Sequence, residues 1–165
     1  MDETEVTLQE MMACRERRAY LQRELLGRYG APLVSFTMNI PGPVKTDKAI
    51  RKAFDIGKEE LLSRLSGFEV NDLQEVHSKT GDELLLSVKA DAGTLKDITT
   101  EIEEETRFGR LFDMDVMDAT GEKLSRPVFR KCLICGAQAQ ECARSRKHSV
   151  QELQEKVREI LSPLS

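Results

Sequence analysis

The sequence contains no tryptophan, and aromatic residues make up only 5% of its 165 residues. Stacking on nucleobases is therefore not a prominent feature, and the net charge of −4 argues against a general nucleic-acid or anionic-membrane binder. No apolar run approaches the roughly 20 residues that a membrane span needs. The acidic start MDETEVTLQE is unlike a secretory signal. We therefore expect a cytoplasmic protein with neither a nucleic acid nor a membrane as partner.

Cysteine is scarce, with four residues, and in a cytoplasmic protein we expect thiols or metal ligands rather than disulfides. Three of them form a C-x2-C-x6-C-x5-H pattern with a histidine, at Cys132, Cys135, Cys142 and His148. This set offers four ligands to a structural Zn²⁺, and its first spacing is typical of zinc knuckles. The second gap is short for a standard zinc finger, so three semi-buried thiols beside a surface histidine are the alternative.

Hydrophobic periodicity predicts an α+β protein with a ferredoxin-like βαββαβ antiparallel sheet. An added helix over residues 4–29 precedes a strand, Leu33–Ile40. A second helix begins after Thr46 or Asp47 and ends at Gly67, and a hairpin turns at TGD. Gly93 and Thr94 open a third helix, and LFDMDVMDA is the last strand. We expect one domain over 1–165, with a core at about 31–122 and a basic, cysteine-containing extension over 123–165 that ends in a helix from Ser149.

The first and last strands of this pattern both alternate between apolar and polar residues. In the ferredoxin-like topology they are neighbours, and both core helices cover one face of the sheet. The apolar side chains should therefore face the helices. The opposite face should carry a row of polar side chains, which Ser87 and Lys89 extend on the hairpin: Ser35, Thr37, Asn39, Asp113 and Asp115.

The Asp-x-Asp in GRLFDMDV is the strongest chemical signal on this face. Two carboxylates on one strand face lie about 7 Å apart at Cα, so both can reach one Mg²⁺ or share two ions. Without a cation or hydrogen-bond donors nearby, the two charges would repel each other. Enzymes of phosphoryl and nucleotidyl transfer hold Mg²⁺ against phosphates in this way. The alternative is a solvated surface pair.

The first helix carries Arg15, Arg18 and Gln22 on the same stripe as Leu8, Met11, Leu25 and Tyr29. Polar residues within an apolar seam either bend the seam away from the core or line a polar pocket. The extension is also charged, because residues 123–148 hold seven Lys and Arg against one acid. Such a segment suits an anion or an acidic partner protein, and a purely solubilising role is the alternative.

Several separated motifs together resemble the apo-citrate lyase phosphoribosyl-dephospho-CoA transferase family, also called citrate lyase holo-acyl-carrier-protein synthases. They are RERR, PLVSFTMNIPGPVK, GRLFDMDV, LSR and RKCLICGAQAQECARSRKH. The resemblance implies a nucleotidyltransferase-type enzyme. Members take 2'-(5''-triphosphoribosyl)-3'-dephospho-CoA as donor and attach its phosphoribosyl-dephospho-CoA portion to a serine of the apo form of the lyase acyl carrier subunit. A phosphodiester forms and diphosphate leaves.

For this reaction we assign roles to individual residues as hypotheses, the metal role of the aspartates by analogy with a related transferase of malonate decarboxylase. Asp113 and Asp115 would hold Mg²⁺, and one of them would assist deprotonation of the serine. The donor phosphates would meet three cationic residues, Arg15, Arg18 and Lys45. The leaving diphosphate would be neutralised by Arg110 and Arg126. The basic extension would dock the carrier. In nucleotidyltransferases a Gly-Ser dipeptide usually precedes such an aspartate pair at a short distance. Here Gly93-Thr94 lies too far upstream, with a helix between it and the aspartates.

Two alternative functions without catalysis are also consistent with the sequence. A zinc-stabilised protein-interaction module predicts about one zinc per chain and no diphosphate release with any donor. A nucleotide-sensing domain on the same sheet predicts that the donor binds without turnover. Zinc analysis combined with a diphosphate assay separates these readings.

Overall fold

The computed structural model describes residues 5–165, which form five α-helices and four β-strands. In chain order these elements are α1 (Leu8–Tyr29), β1 (Leu33–Met38), α2 (Lys48–Arg64), β2 (Glu69–Ser78), β3 (Gly81–Lys89), α3 (Ala92–Glu105), β4 (Phe112–Met117), α4 (Ala139–Ser145) and α5 (Val150–Leu161). The ferredoxin-like α+β prediction is confirmed. The strands form one antiparallel sheet in the order β2-β3-β1-β4, so the last strand lies beside the first.

The helix boundaries are set by side-chain caps, and these move some ends away from the prediction. The predicted start of α1 at residue 4 lies outside the described residues, and residues 5–7 are not helical. Thr7 caps α1 in a capping box with Glu10. Asp47, not Thr46, caps α2, and Asp91 caps α3 just before the predicted Gly93-Thr94 opening. Helix α2 ends at Arg64, ahead of Gly67.

Helices α2 and α3 cover one face of the sheet with the main hydrophobic core. Phe36 of β1 stacks on Phe54 of α2 with ring centroids 4.9 Å apart, and it meets Phe112 of β4 edge to face at 5.2 Å. All three rings are fully buried. Helix α2 approaches this cluster closely, because a Cβ at Gly57 would lie 2.6 Å from Cζ of Phe36. The apolar side of the two alternating strands thus faces the helices, as predicted.

Helix α1 packs on the opposite face, but only over part of it. Leu25 of α1 contacts Leu33 of β1 and Leu85 of β3 in a second, smaller apolar cluster. As a result the predicted polar row is not open along its whole length. Ser35 is 4% exposed and accepts a hydrogen bond from Gln22 at 3.3 Å, and Ser87 is fully buried. The open part of this face lies at β4.

The extension after β4 returns to the sheet and then to the core. Its final helix α5 begins at the predicted Ser149–Glu152 capping box, and its Val157 and Leu161 join the main hydrophobic core. Residues 132–148, which we call the cysteine segment, lie between β4 and α5 and include α4. Within residues 5–165, none of the helices combines the length and the apolar character that crossing a bilayer requires.

Candidate functional site: a carboxylate pair between two charged cavities

Strand β4 presents Asp113 and Asp115 on the face away from the main core. In the β1–β4 pairing Asp113 lies opposite Thr37 and Asp115 opposite Ser35, so the aspartates lie beside the hydroxyl row, as predicted. Gly109 begins the short 3-10 turn that leads into this strand. A Cβ at Gly109 would lie 2.4 Å from the carbonyl oxygens of Ile102 and Glu103, so only glycine lets the chain pass the end of α3.

The two carboxylates differ in their surroundings. Burial and the charge of Asp115 raise the pKa of Asp113 above its usual range, although Arg130, Lys123 and Lys96 oppose this rise. Asp115 forms an ion pair with Lys123 at 3.2 Å, and Lys123 is 59% exposed. Asp113 itself forms no ion pair among the described residues. A cation placed between the two carboxylates would relieve their repulsion, and their oxygens are the ligands that Mg²⁺ prefers.

The free edge of β4 is bound by two charged side chains of α3. Glu103 accepts a hydrogen bond from the amide of Met114 at 2.8 Å, and Lys96 donates to the carbonyl oxygen of Met114 at 3.4 Å. Met114 is the residue between the two aspartates. Both side chains are buried, and burial raises the pKa of Glu103 against the opposing effects of the Met114 amide and two arginines. The only sign of these residues in the sequence is that Lys96, Thr99 and Glu103 form a polar stripe at helical spacing.

Arginines of the extension complete this edge. Arg126 binds Glu103 at 3.2 Å and Glu104 at 2.7 Å, and Arg130 binds Glu103 at 3.4 Å. Arg126 keeps two buried nitrogens, Nε and Nη1, without a hydrogen-bond partner among the described residues. Buried donors of this kind are usually satisfied, and the side chain would have to move to present them to an anion.

A cavity of about 710 Å³ opens over this edge, and we call it the aspartate cavity. Both aspartates line it together with cationic side chains from α3 and from the extension. Its charged lining residues are Asp113, Asp115, Glu103, Lys96, Lys123, Arg126 and Arg130. The aspartate cavity therefore combines three carboxylates with four cations.

A second cavity of about 250 Å³ lies on the α1 side of Asp113, and we call it the arginine cavity. Its charged lining consists of three cations and three acids: Arg15, Arg18, Lys45, Asp82, Glu83 and Asp113. Arg18 donates to the buried Glu83 at 2.5 Å, whereas Arg15 forms no ion pair with any of the described residues. Lys45 donates to the carbonyl oxygen of Ile40 at 2.7 Å, and burial together with the charge of Arg15 lowers its pKa. Two cations held close together in this way favour an anion between them.

The structure thus brings most of the predicted site residues together around Asp113, which lines both cavities. Arg126 joins the aspartate cavity, and Arg15, Arg18 and Lys45 join the arginine cavity. Arg110 lies apart from both. Its guanidinium donates to the backbone carbonyl oxygens of Lys131 and Cys132, at 3.2 and 2.5 Å, and it lines a third cavity beside the cysteine segment.

The cysteine segment forms a cluster able to hold a metal ion. One ligand atom from each of four residues lies within 4.8 Å of the others: Cys132, Cys135, Cys142 and His148. The Sγ atoms of Cys135 and Cys142 are 3.4 Å apart. The nearby imidazole of His148 is the largest influence lowering the pKa of Cys135 to about 6, whereas Cys135 and burial raise the pKa of Cys142 to about 11. The predicted convergence of the four residues is confirmed.

Fold and site together define an α+β protein whose ferredoxin-like sheet presents a carboxylate pair, of which Asp113 lines two charged cavities. The chain belongs to the apo-citrate lyase phosphoribosyl-dephospho-CoA transferase family, CitX, whose sequence profile matches residues 6–163. A family relative of that name from Citrobacter koseri is 37% identical over 154 residues, which is 90% of this chain and 84% of the relative. The motif-based resemblance is therefore confirmed.

Other relatives agree. A protein from Vibrio cholerae named probable apo-citrate lyase phosphoribosyl-dephospho-CoA transferase is 38% identical over 162 residues, covering 94% of this chain and 91% of the relative. Protein CitXG of Haemophilus influenzae is 33% identical over 163 residues, covering 95% of this chain but only 35% of the relative. The matched region is thus about a third of that longer protein.

Proposed function

We propose that this chain transfers phosphoribosyl-dephospho-CoA from 2'-(5''-triphosphoribosyl)-3'-dephospho-CoA to a serine of the citrate lyase acyl carrier subunit. The family membership supports the reaction class. The main support for the site is the position of Asp113, which lines both charged cavities. A polyphosphate chain that extends from one cavity to the other would pass this carboxylate.

The chemistry is a nucleotidyl-type transfer at phosphorus. The serine oxygen bonds to the phosphorus next to the ribose, and the bond from this phosphorus to the diphosphate oxygen breaks. The serine proton passes to a base, and diphosphate leaves with the bonding electrons. We propose that one of the two aspartates, Asp113 or Asp115, takes this proton through a carboxylate oxygen that the metal leaves free.

Cationic side chains would hold the phosphates on either side of Asp113. Arg15 and Lys45 of the arginine cavity would bind one part of the donor polyphosphate, with Arg18 positioned beside them by Glu83. Arg126, which lines the aspartate cavity, would stabilise the leaving diphosphate with its positive charge. Arg110 has no part in this proposal, because its guanidinium binds the carbonyl oxygens of the cysteine segment.

We propose Asp113 and Asp115 as the ligands of Mg²⁺. When bound, Mg²⁺ would neutralise charge on the phosphate oxygens. Binding is measurable without the donor, because a ligand of the folded state raises its melting temperature. Mg²⁺ should raise the Tm of the wild-type chain and raise that of Asp113→Asn much less. An equal rise in both proteins would remove Asp113 from the site.

The carrier would dock at the exposed basic side of the extension. Arg144, Arg146 and Lys147 are all exposed and form no ion pairs among the described residues. An acidic carrier surface would complement them and would be steered toward the neighbouring cavities. This contact should weaken as ionic strength rises.

The reaction is tested by incubating the protein with apo-carrier, donor and Mg²⁺ and measuring the intact mass of the carrier. We expect the mass to rise by one phosphoribosyl-dephospho-CoA unit, with one diphosphate released per modified carrier. A carrier whose acceptor serine is replaced by alanine is the control, and excess chelator should stop the reaction. Donor binding with neither a mass change nor diphosphate would contradict the proposal and favour a sensing module.

A further inference from the structure

The four metal-ligand residues of the cysteine segment are spaced as a tetrahedral zinc site requires. Zn–S bonds of about 2.3 Å at tetrahedral angles place two sulfurs about 3.8 Å apart. The Sγ atoms of Cys135 and Cys142 lie 3.4 Å apart, and all four ligand atoms lie within 4.8 Å of one another. A disulfide has an S–S distance of about 2.05 Å and would leave Cys132 and His148 without a role.

The backbone around these cysteines forms a tight loop of the kind found in zinc knuckles. The amide of Ile134 donates to Sγ of Cys132 at 3.4 Å, which is the kind of hydrogen bond that supports a thiolate ligand. The amide of Cys132 donates to the carbonyl oxygen of Ala137 at 2.6 Å and closes the loop. Gly136, directly after Cys135, has φ +74°, a conformation that favours glycine.

His148 provides an independent sign of a missing ligand. Its Nε2 atom is buried and makes no hydrogen bond within the part of the chain that the structure describes. Its Nδ1 atom faces Glu152, with 3.9 Å between Nδ1 and Oε2. Histidine ligands of zinc usually turn one nitrogen to the metal and the other to a carboxylate or carbonyl. A metal bound at Nε2 would satisfy the orphaned atom.

Hydrogen bonds also attach the cysteine segment to the edge of the aspartate cavity. Arg130, two residues before Cys132, donates to the carbonyl oxygens of Gly109 and Arg110 at 3.0 and 2.7 Å. Arg110 donates in return to the carbonyl oxygens of Lys131 and Cys132. Arg130 also binds Glu103, the residue that accepts the amide of Met114 between the two aspartates. A continuous set of contacts therefore joins the cysteine cluster to β4.

We propose that Cys132, Cys135, Cys142 and His148 bind one structural Zn²⁺, and that this centre holds Arg130 against Glu103 at the aspartate cavity. The metal takes no part in the transfer itself. Residues 123–149 contribute few buried apolar side chains, chiefly Cys132 and Cys142. A segment with so little apolar burial needs another cross-link to stay ordered, and a metal supplies it.

The metal is tested first, on the full-length protein purified without chelator. We expect about one zinc per chain by elemental analysis. Replacement by Co²⁺ should give the intense thiolate-to-cobalt absorption of a tetrahedral sulfur-rich site. Cys135→Ser should lose both signals, whereas Cys14→Ser should keep both, because Cys14 belongs to α1, where it is buried beside Glu83 and apart from the cluster. Metal-free protein with no cobalt spectrum, or a Cys135–Cys142 disulfide in intact-mass analysis, would overturn the proposal.

The coupling to the aspartate strand is tested by amide hydrogen exchange with and without zinc. Zinc removal should speed exchange at the amide of Cys132, and also at the amide of Met114, by at least about tenfold, because local opening replaces their hydrogen bonds with water. The amide of Val88, which is bonded to the carbonyl oxygen of Pro32, is the control and should not change. Faster exchange at Cys132 with an unchanged Met114 would overturn the positioning role. Neither measurement uses donor or carrier, so neither outcome depends on the proposed transfer.

Discussion

The two faces of the same sheet are built for different purposes. On the helix side, Phe36, Met114 and Val116 are fully buried in one apolar core. On the other side, the alternate residues Thr37, Asp113 and Asp115 are only half-buried and border the charged cavities. Because successive side chains of a strand point to opposite faces, β1 and β4 can carry packing on one face and chemistry on the other.

This difference predicts opposite responses to substitution. Burying apolar side chains stabilises the folded state, so truncation on the helix side should destabilise the protein. Holding an incompletely paired charge in a half-buried site opposes folding. Removing that charge should therefore not destabilise the protein. The comparison fails if both faces respond to substitution in the same way.

The largest loss of stability should come from Phe36→Ala. Phe36 joins the rings of Phe54 and Phe112, and its removal should lower the free energy of unfolding by about 3–5 kcal/mol in urea titrations. Thr37→Val on the next position of the strand keeps a β-branched side chain and should cost less than about 1 kcal/mol. Similar losses for the two variants would contradict the division between the faces.

A smaller loss should follow from adding a single methyl group on the helix side. The Cβ of Gly57→Ala would lie 2.6 Å from Cζ of Phe36 and 2.8 Å from Cζ of Phe112, so the core must rearrange. Overpacking of this kind costs about 1–3 kcal/mol. Gly27→Ala is the matched control, because nothing lies within 4 Å of its Cβ in α1. That control should stabilise the helix by up to about 1 kcal/mol, and a loss in both variants would argue against overpacking.

On the charged face, Asp113→Asn should raise the free energy of unfolding at neutral pH. The gain should be smaller than the losses expected for Phe36→Ala and Gly57→Ala. Burial and Asp115 raise the pKa of Asp113, so the folded state holds this proton more tightly than the unfolded chain does. Its contribution to stability is therefore greatest below the unfolded pKa of about 3.9 and is lost as the pH rises through the raised folded pKa.

Urea titrations of wild type and Asp113→Asn across pH check this sign. The advantage of the variant should grow as the pH rises from about 4 toward neutrality. A variant that is less stable than wild type at neutral pH, with the deficit shrinking in acid, would mean that ionised Asp113 stabilises the fold.

The smallest effect on stability should come from Arg15→Gln, with a change of no more than about 0.5 kcal/mol. Arg15 is exposed at the rim of the arginine cavity and has no ion pair among residues 5–165. If it binds donor phosphates, the KM for the donor should rise about tenfold with little change in kcat. Arg23→Gln, on an exposed part of the same helix, should change neither constant.

Local patterns in the sequence were sufficient to predict the sheet and the position of the aspartates. The alternation through Phe36 and Phe112 assigned each side chain of β1 and β4 to a face, and the order of elements then made these strands neighbours. The spacing of Cys132, Cys135, Cys142 and His148 likewise indicated their convergence. Each of these inferences needs only residues close in sequence or a known topology.

What the sequence could not reveal are contacts between distant segments. The arginines on the α1 stripe suggested a polar pocket, but only the structure shows that Arg18 binds Glu83 while Arg15 does not. Glu103 and Lys96 occur in a helix rich in charge, and nothing local indicates that they bind the edge of β4. The burial of Ser35 and Ser87 similarly depends on where α1 and β2 pack.

The central claim is that Asp113 acts in the transfer, although its charge opposes folding. The most direct test is the rate at which Asp113→Asn modifies apo-carrier with saturating donor and Mg²⁺, followed by intact mass, under conditions where its folding is verified. The account predicts a fall of at least about 100-fold, since losing a metal ligand removes several kcal/mol of transition-state stabilisation. Modification of the carrier by Asp113→Asn at the wild-type rate would contradict it.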